Sequence, residues 1–135
     1  KGTEIGGALI PRLIDELPLL AVLATIAEGN TRIYDAAELK VKESNRIKAC
    51  VENLQCLGIS AVETEDGMII PGKGSVFPLT GKNIPSFLDH RIAMSFSVLG
   101  LLCRAENPMK IEDSQCIQIS YPNFFKDLEK VLDEG

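Results

Sequence analysis

Histidine occurs once in this sequence, at position 90, and the four cysteines form no CxxC pair, so the usual donors of a zinc site are missing. Cys50, Cys56, Cys103 and Cys116 are therefore expected as small hydrophobic side chains in a reduced interior. No run of 18 apolar residues is free of charges or helix breakers, which excludes a membrane-spanning helix. Positive charge is scarce as well. With 14 Lys and Arg against 19 Asp and Glu, the chain carries a formal −5, which argues against general affinity for nucleic acid or acidic membrane surfaces. Any anion site must come from local geometry. "PGKGS" at 71–75 lacks the GK[ST] ending of a phosphate loop and no helix follows it directly, so a plain loop is expected there. The chain starts at Lys1 without a methionine, and a fragment is expected, for which the lack of a targeting peptide says nothing.

What is present is enough for one domain with a real core: 135 residues, 45% of them hydrophobic, with mixed charges. Self-comparison shows how it is organised. "IPRLIDELPLLAVLA" from Ile10 matches "IPSFLDHRIAMSFSV" from Ile84, which sets Asp15 over Asp89. The match resumes as "TRIYDA" against "MKIEDS", where Asp35 meets Asp113, and then as "ESNRIKACVENLQCLG" against "YPNFFKDLEKVLDEG". Two copies of a unit follow, each with a buried helix, a strand and an amphipathic helix.

The segments Leu17 to Ala27 and Ile92 to Cys103 have almost no polar face, and helices apolar all round belong inside a domain. Asp15 and Asp89 are placed to cap their starts. Strands must cover them, with candidates at 32–35, 59–63, 68–70, 109–112 and 117–120, and Asp66-Gly67 marks a hairpin. After Glu43, a stripe of Ile47, Cys50, Val51, Leu54 and Leu57 predicts a helix that Ser44 caps and Gly58 stops.

Charge gathers where these helices begin: Asp15-Glu16, Lys42-Glu43-Arg46 within "KVKESNRIKAC", and Asp89-His90-Arg91. Each group has an ordinary explanation, as an (i, i+3) pair between Glu43 and Arg46 or a cap at Asp89, with His90 as a partner of Asp89. Taken together they suggest more. If the units pack side by side, all three lie on one face, and arginine forks suit phosphate or carboxylate oxygens.

The motifs "LIDELPLLAV", "ELKVKESNRI", "LDHRIAMSF" and "ISYPNFF", in this order, resemble the C-terminal part of the 5-enolpyruvylshikimate-3-phosphate synthase family. The similarity spans nearly the whole chain, and KES-x-R with DHR-x-AM is its most specific part. It implies an α/β (α+β) fold of βαββαβ repeats, with helices inside and sheets outside, and makes residues 1–135 a single or partial domain from a two-domain enolpyruvyl transferase. The implied reaction moves the enolpyruvyl group of phosphoenolpyruvate to the 5-hydroxyl of shikimate 3-phosphate and releases phosphate, in the cytoplasm, without metal or organic cofactor.

Under that resemblance Asp15 corresponds to the acceptor of the hydroxyl proton and Glu43 to the acid that protonates the phosphoenolpyruvate methylene. Lys42 corresponds to a shikimate 3-phosphate ligand, Arg46 and Arg91 to the arginines that grip phosphoenolpyruvate, and His90 to a supporting neighbour. The implied partners are the two substrates and the N-terminal part of the same enzyme, which is expected to be a monomer; no nucleic acid or membrane is implied. Two departures stand out: Asn45 takes the place of the acid in "KESDR", expected to alter only a surface pairing, and "CIQISYP" lacks the lysine that some relatives place near Ile119. A UDP-sugar enolpyruvyl transferase and a non-catalytic anion-binding domain are the competing readings.

Overall fold

The computed structural model describes residues 1–134. The first unit runs through β1 (Glu4–Ile5), α1 (Ile10–Leu13), α2 (Leu17–Ala24), β2 (Glu28–Ile33), α3 (Arg46–Cys56), β3 (Val62–Glu63) and β4 (Met68–Lys73). The second contains β5 (Asn83–Pro85), α4 (His90–Leu99), β6 (Lys110–Glu112), α5 (Ile117–Ser120) and α6 (Phe124–Glu134). The α/β class and the repeat hold. The order does not: leaving aside α1, the first unit reads βαβαββ instead of βαββαβ, because both strands of the 62–73 hairpin follow the second helix.

The two units share geometry as well as sequence. Each pairs its first strand in parallel with the strand after its buried helix, setting Ile5 beside Ile33 in one and Ile84 beside Ile111 in the other. The matched Asp35 and Asp113 both adopt the left-handed conformation, at φ 55°. Short polar side chains tolerate that region better than most, so an aspartate after each of these strands turns the chain toward its next helix.

In the four-stranded sheet the order is β1-β2-β4-β3, with β2 and β4 antiparallel along their whole lengths. The expected hairpin closes where Thr64 N–H bonds to the Gly67 carbonyl. Part of "PGKGS" proves to be strand, since Pro71, Gly72 and Lys73 end β4. A Cβ on Gly72 would lie 1.9 Å from the Ala27 carbonyl oxygen, so this glycine permits close backbone approach and has no need of a phosphate to explain it. The expected strand at 117–120 is a helical turn, α5, with only Ile117 buried.

The core joins both units through Leu17, Ile33, Ile47, Leu54, Ile70, Ile84, Ile92 and Phe96. The stripe foreseen on α3 is buried throughout. By contrast, α2 is shorter than expected and not covered all round: Leu19 and Leu23 are 36% and 45% exposed, as is Leu101 just beyond α4 at 45%. On α6 no residue is fully buried, so its apolar stripe lies open on the second unit. Cys50 alone of the cysteines is buried, and Cys56 is exposed. No described helix is long and apolar enough to cross a membrane.

Candidate functional site

Three helix starts meet at Arg46. It opens α3, and Asn45 before it is extended and accepts the Lys48 N–H at 3.1 Å, so Asn45, not Ser44, is the cap. The substitution in the "KESDR" position therefore falls on a capping residue, not on a surface pair. Asp89 caps α4 as expected, accepting the Arg91 N–H at 2.9 Å. Asp15 is not a cap. It lies in the turn between α1 and α2, where Glu16 takes the cap position without a side-chain bond, and this leaves the Asp15 carboxylate available to Arg46.

The Arg46 side chain is 1% exposed, a large burial for a guanidinium, and the fit is explained by its partners. Its Nε donates to Asp89 Oδ2 at 2.9 Å, Nη1 to Asp15 Oδ1 at 2.9 Å, and Nη2 to Glu43 Oε2 at 2.6 Å, with a longer contact to Asp89 Oδ1 at 3.4 Å. Asp89 is fully buried and also accepts Ser44 Oγ at 2.8 Å. Asp15 and Glu43 are about half exposed, at 46% and 52%. Before this aspartate, Phe87 and Leu88 both carry positive φ, a strained choice for bulky residues, and Leu88 N–H bonds back to Ser86 Oγ.

The charges stabilise one another. Arg46 donating to Asp15 holds that carboxyl below its ordinary range against a modest desolvation, with Arg91 and Lys42 adding attraction. At Asp89 desolvation pushes upward, yet the bonds from Arg46 and Ser44 outweigh it and the net direction is down. Desolvation likewise opposes the charge on Arg46, and the bonds to Asp89 and Asp15 reverse it. Asp15 and Asp89 are thus anions at neutral pH. Burial pushes the neighbouring Cys50 thiol up to about 12, which leaves it without nucleophilic character.

The structure brings together Asp15, Glu43 and Arg46 of the residues singled out in the sequence, and sets Lys42 and Arg91 within electrostatic reach of Asp15. The lysines do not crowd Glu43: Lys42 Nζ bonds to Glu38 at 3.3 Å and Lys40 Nζ to the Glu65 carbonyl. Four hydrogen bonds already engage Arg46, whereas Arg91 is 36% exposed with its nearest carboxylate, Glu16, at 3.8 Å. Of the two arginines, Arg91 is the freer. His90 is half-buried beside the cluster, but the partners of Asp89 are Arg46, Ser44 and a backbone amide. Ile119, where a lysine was sought, is 89% exposed. Asp89 lies in one of the three charged groups marked in the sequence, but it and Ser44 were read only as helix caps and not as partners of Arg46; the pairing of Asp15 over Asp89 in the repeat was the available signal.

A cavity of about 230 Å³ opens next to the cluster, lined by the charged Asp15, Glu16 and Arg91 and by Leu19, Met94 and Phe124 among its apolar residues. A larger one, about 260 Å³, lies under α6 and has no charged lining. Among the described residues no group of three or more His, Cys, Asp or Glu is placed to hold a metal.

The site is thus built from a repeated α/β unit whose helix starts converge on one buried arginine held by acids. The comparisons place it further. The family described as EPSP synthase (3-phosphoshikimate 1-carboxyvinyltransferase) matches residues 1–128. A 3-phosphoshikimate 1-carboxyvinyltransferase of Thermoanaerobacter sp. (strain X514) is 56% identical over 126 residues, which cover 93% of this chain and 29% of the relative. That of Alkaliphilus metalliredigens is 55% identical over 131 residues, covering 97% of this chain and 30% of the relative. The solved EPSP synthase of Acinetobacter baumannii superposes with a TM-score of 0.90 at 41% identity, over 96% of this chain and 30% of that one. The chain belongs to the EPSP synthase family and spans about 30% of the length of these relatives.

Proposed function

We propose that residues 1–135 are one domain or part of one, from the C-terminal portion of a two-domain 3-phosphoshikimate 1-carboxyvinyltransferase, and supply one wall of its active site. The observation that carries this reading is Arg46: one buried guanidinium holds both carboxylates to which the family resemblance gives the proton transfers. Asp15, kept ionised, accepts the hydrogen bond of the 5-hydroxyl of shikimate 3-phosphate and takes its proton as the oxygen attacks C2 of phosphoenolpyruvate. Glu43 delivers a proton to the methylene carbon, which gives a tetrahedral intermediate. Return of a proton from the new methyl group to Glu43 then restores the enol double bond and expels phosphate, which leaves with the proton that Asp15 took.

Arg91 faces the cavity and is the primary clamp for phosphoenolpyruvate, while Lys42, near Asp15, meets shikimate 3-phosphate and His90 supports its neighbours. Arg46 joins the clamp only when an incoming anion displaces Asp15 or Glu43 from its outer nitrogens. No step calls for a metal or organic cofactor. The reaction occurs in the cytoplasm, and neither nucleic acid nor membrane takes part. The rest of the same enzyme supplies the opposite wall, in a monomer. Exposed Leu19, Leu23 and Leu101 support a chain that works packed against further protein. The names of the relatives speak against a UDP-sugar substrate and against a purely anion-binding role.

The test is a graft: this chain replaces the matching segment of the Thermoanaerobacter relative, and phosphate release from both substrates is measured. Turnover that disappears with Glu43→Gln supports the reading. An inactive, correctly folded graft overturns it.

A further inference from the structure

The guanidinium of Arg46 has two unlike edges. Its inner edge, Nε with one hydrogen of Nη2, faces Asp89, which is fully buried. Both oxygens of that carboxylate are used: Oδ2 accepts Nε at 2.9 Å and Ser44 Oγ at 2.8 Å, while Oδ1 accepts the Arg91 amide at 2.9 Å and Nη2 at 3.4 Å. The outer edge faces Asp15 and Glu43, whose side chains stand about half in solvent. Buried, fully satisfied contacts persist, whereas half-exposed ion pairs of this kind contribute little and exchange readily with other anions.

We propose that Ser44 and Asp89 are positioning residues: they lock the inner edge of Arg46, so that its outer edge can exchange Asp15 and Glu43 for the anionic group of a substrate without losing its place. The hydroxyl of Ser44 occupies Asp89 Oδ2 beside Arg46 Nε and fixes the carboxylate's rotation. The same aspartate, through Oδ1, fixes the amide of Arg91, so one carboxylate sets the separation of both arginines. The serine and arginine of KES-x-R thereby meet the aspartate of DHR-x-AM in one contact set. The kinetic part of this inference rests on the function proposed above; the structural part does not.

Two measurements test it. In the isolated chain, the Arg46 Nε–H signal in nitrogen-15 NMR should exchange with water at least tenfold more slowly than that of exposed Arg12, and should stay in place when phosphoenolpyruvate or inorganic phosphate is titrated in. Ser44→Ala should accelerate the exchange several-fold and Ser44→Thr should restore it. An Nε–H as labile as that of Arg12, or one unmoved by Ser44→Ala, overturns the proposal whether or not the graft is active. In an active graft, Ser44→Ala should raise KM for phosphoenolpyruvate three- to tenfold with KM for shikimate 3-phosphate unchanged, and Ser44→Thr should recover it. Arg46→Lys affecting KM while Ser44→Ala does not would overturn the positioning role and leave the proposed function standing.

Discussion

Asp15 and Asp89 occupy the same position in the two repeats and bind the same arginine, Asp15 at Nη1 and Asp89 at Nε, both at 2.9 Å. Duplication produced two equivalent carboxylates, and packing made them unequal. Asp89 is fully buried, caps a helix and is held by four donors, while Asp15 is half exposed, caps nothing and bonds to the outer edge of Arg46. One is a buried anchor and the other stands half in solvent.

Acid should reveal the anchor. Because the carboxyl of Asp89 lies lower when folded than its unfolded value of about 3.9, its contribution to stability is complete above that value and is lost as pH falls through the depressed folded one. Asp15 has the same sign with a smaller weight because it is exposed. Urea midpoints should stay level from neutral pH to about pH 5 and decline below about pH 4. Asp89→Asn should lower stability at pH 7 by about 3–5 kcal/mol, by leaving Arg46 partly unpaired, and should flatten the acid decline. An unchanged decline in the variant would mean that the carboxylates responsible lie elsewhere.

Glu43→Gln should abolish most turnover in the graft, by about 10²-fold or more, while shikimate 3-phosphate still binds, since glutamine keeps size and polarity but cannot carry the proton. Single-turnover phosphate release and equilibrium binding separate these effects. Turnover within threefold of the parent would remove Glu43 from the proton path.

Arg91→Lys should weaken phosphoenolpyruvate more than shikimate 3-phosphate, because lysine retains the charge and loses the planar fork. Equal losses for both substrates would remove that contact. Stability should barely change, since Arg91 is 36% exposed and its pair with Glu16 is long at 3.8 Å.

Much of this was legible in the sequence, for physical reasons. Helix stripes, an Asp-Gly turn and a tandem repeat are local signals, and α3, the hairpin and the paired units all followed from them. The short strands β1 and β5 were not foreseen, because two or three residues give no period; only the parallel pairing across each helix makes them strands. The site was half visible. Charges at helix starts marked Asp15, Glu43 and Arg46, but whether a lysine turns toward Glu43 or toward Glu38 depends on the 310 turn of residues 37–41, and spacing does not encode that. Asp89 read as an ordinary cap because a cap uses one oxygen, and nothing local shows that the other is bound to an arginine 43 residues earlier.

Thiol chemistry offers an inexpensive check on the packing. A neutral alkylating reagent should modify exposed Cys56 first, half-buried Cys103 and Cys116 later, and Cys50 only on unfolding. Cys50 is enclosed beside Arg46 and Asp89 and its thiol is pushed up to about 12, so both access and ionisation oppose reaction. Mass spectrometry after timed labelling reads the order. Early labelling of Cys50 would show that the interior around Arg46 opens readily.

The chain alone should fold and yet not turn over. Its core is one cluster that runs from Ile5 through both units to Leu99, with Met109 and Ile111 packed against it, a size at which single domains are stable, so cooperative unfolding in urea is expected. Catalysis asks for something this core does not supply: two anions oriented together and screened from water. Asp15 and Glu43 are about half exposed and the cavity beside them is open, so bound substrates would keep much of their hydration. Phosphate release by the isolated chain should stay at background with both substrates present, and should appear when the rest of the Thermoanaerobacter relative, beyond the 29% that matches this chain, is added or joined. Turnover by the isolated chain at the rate of the joined protein would show that the one wall is sufficient.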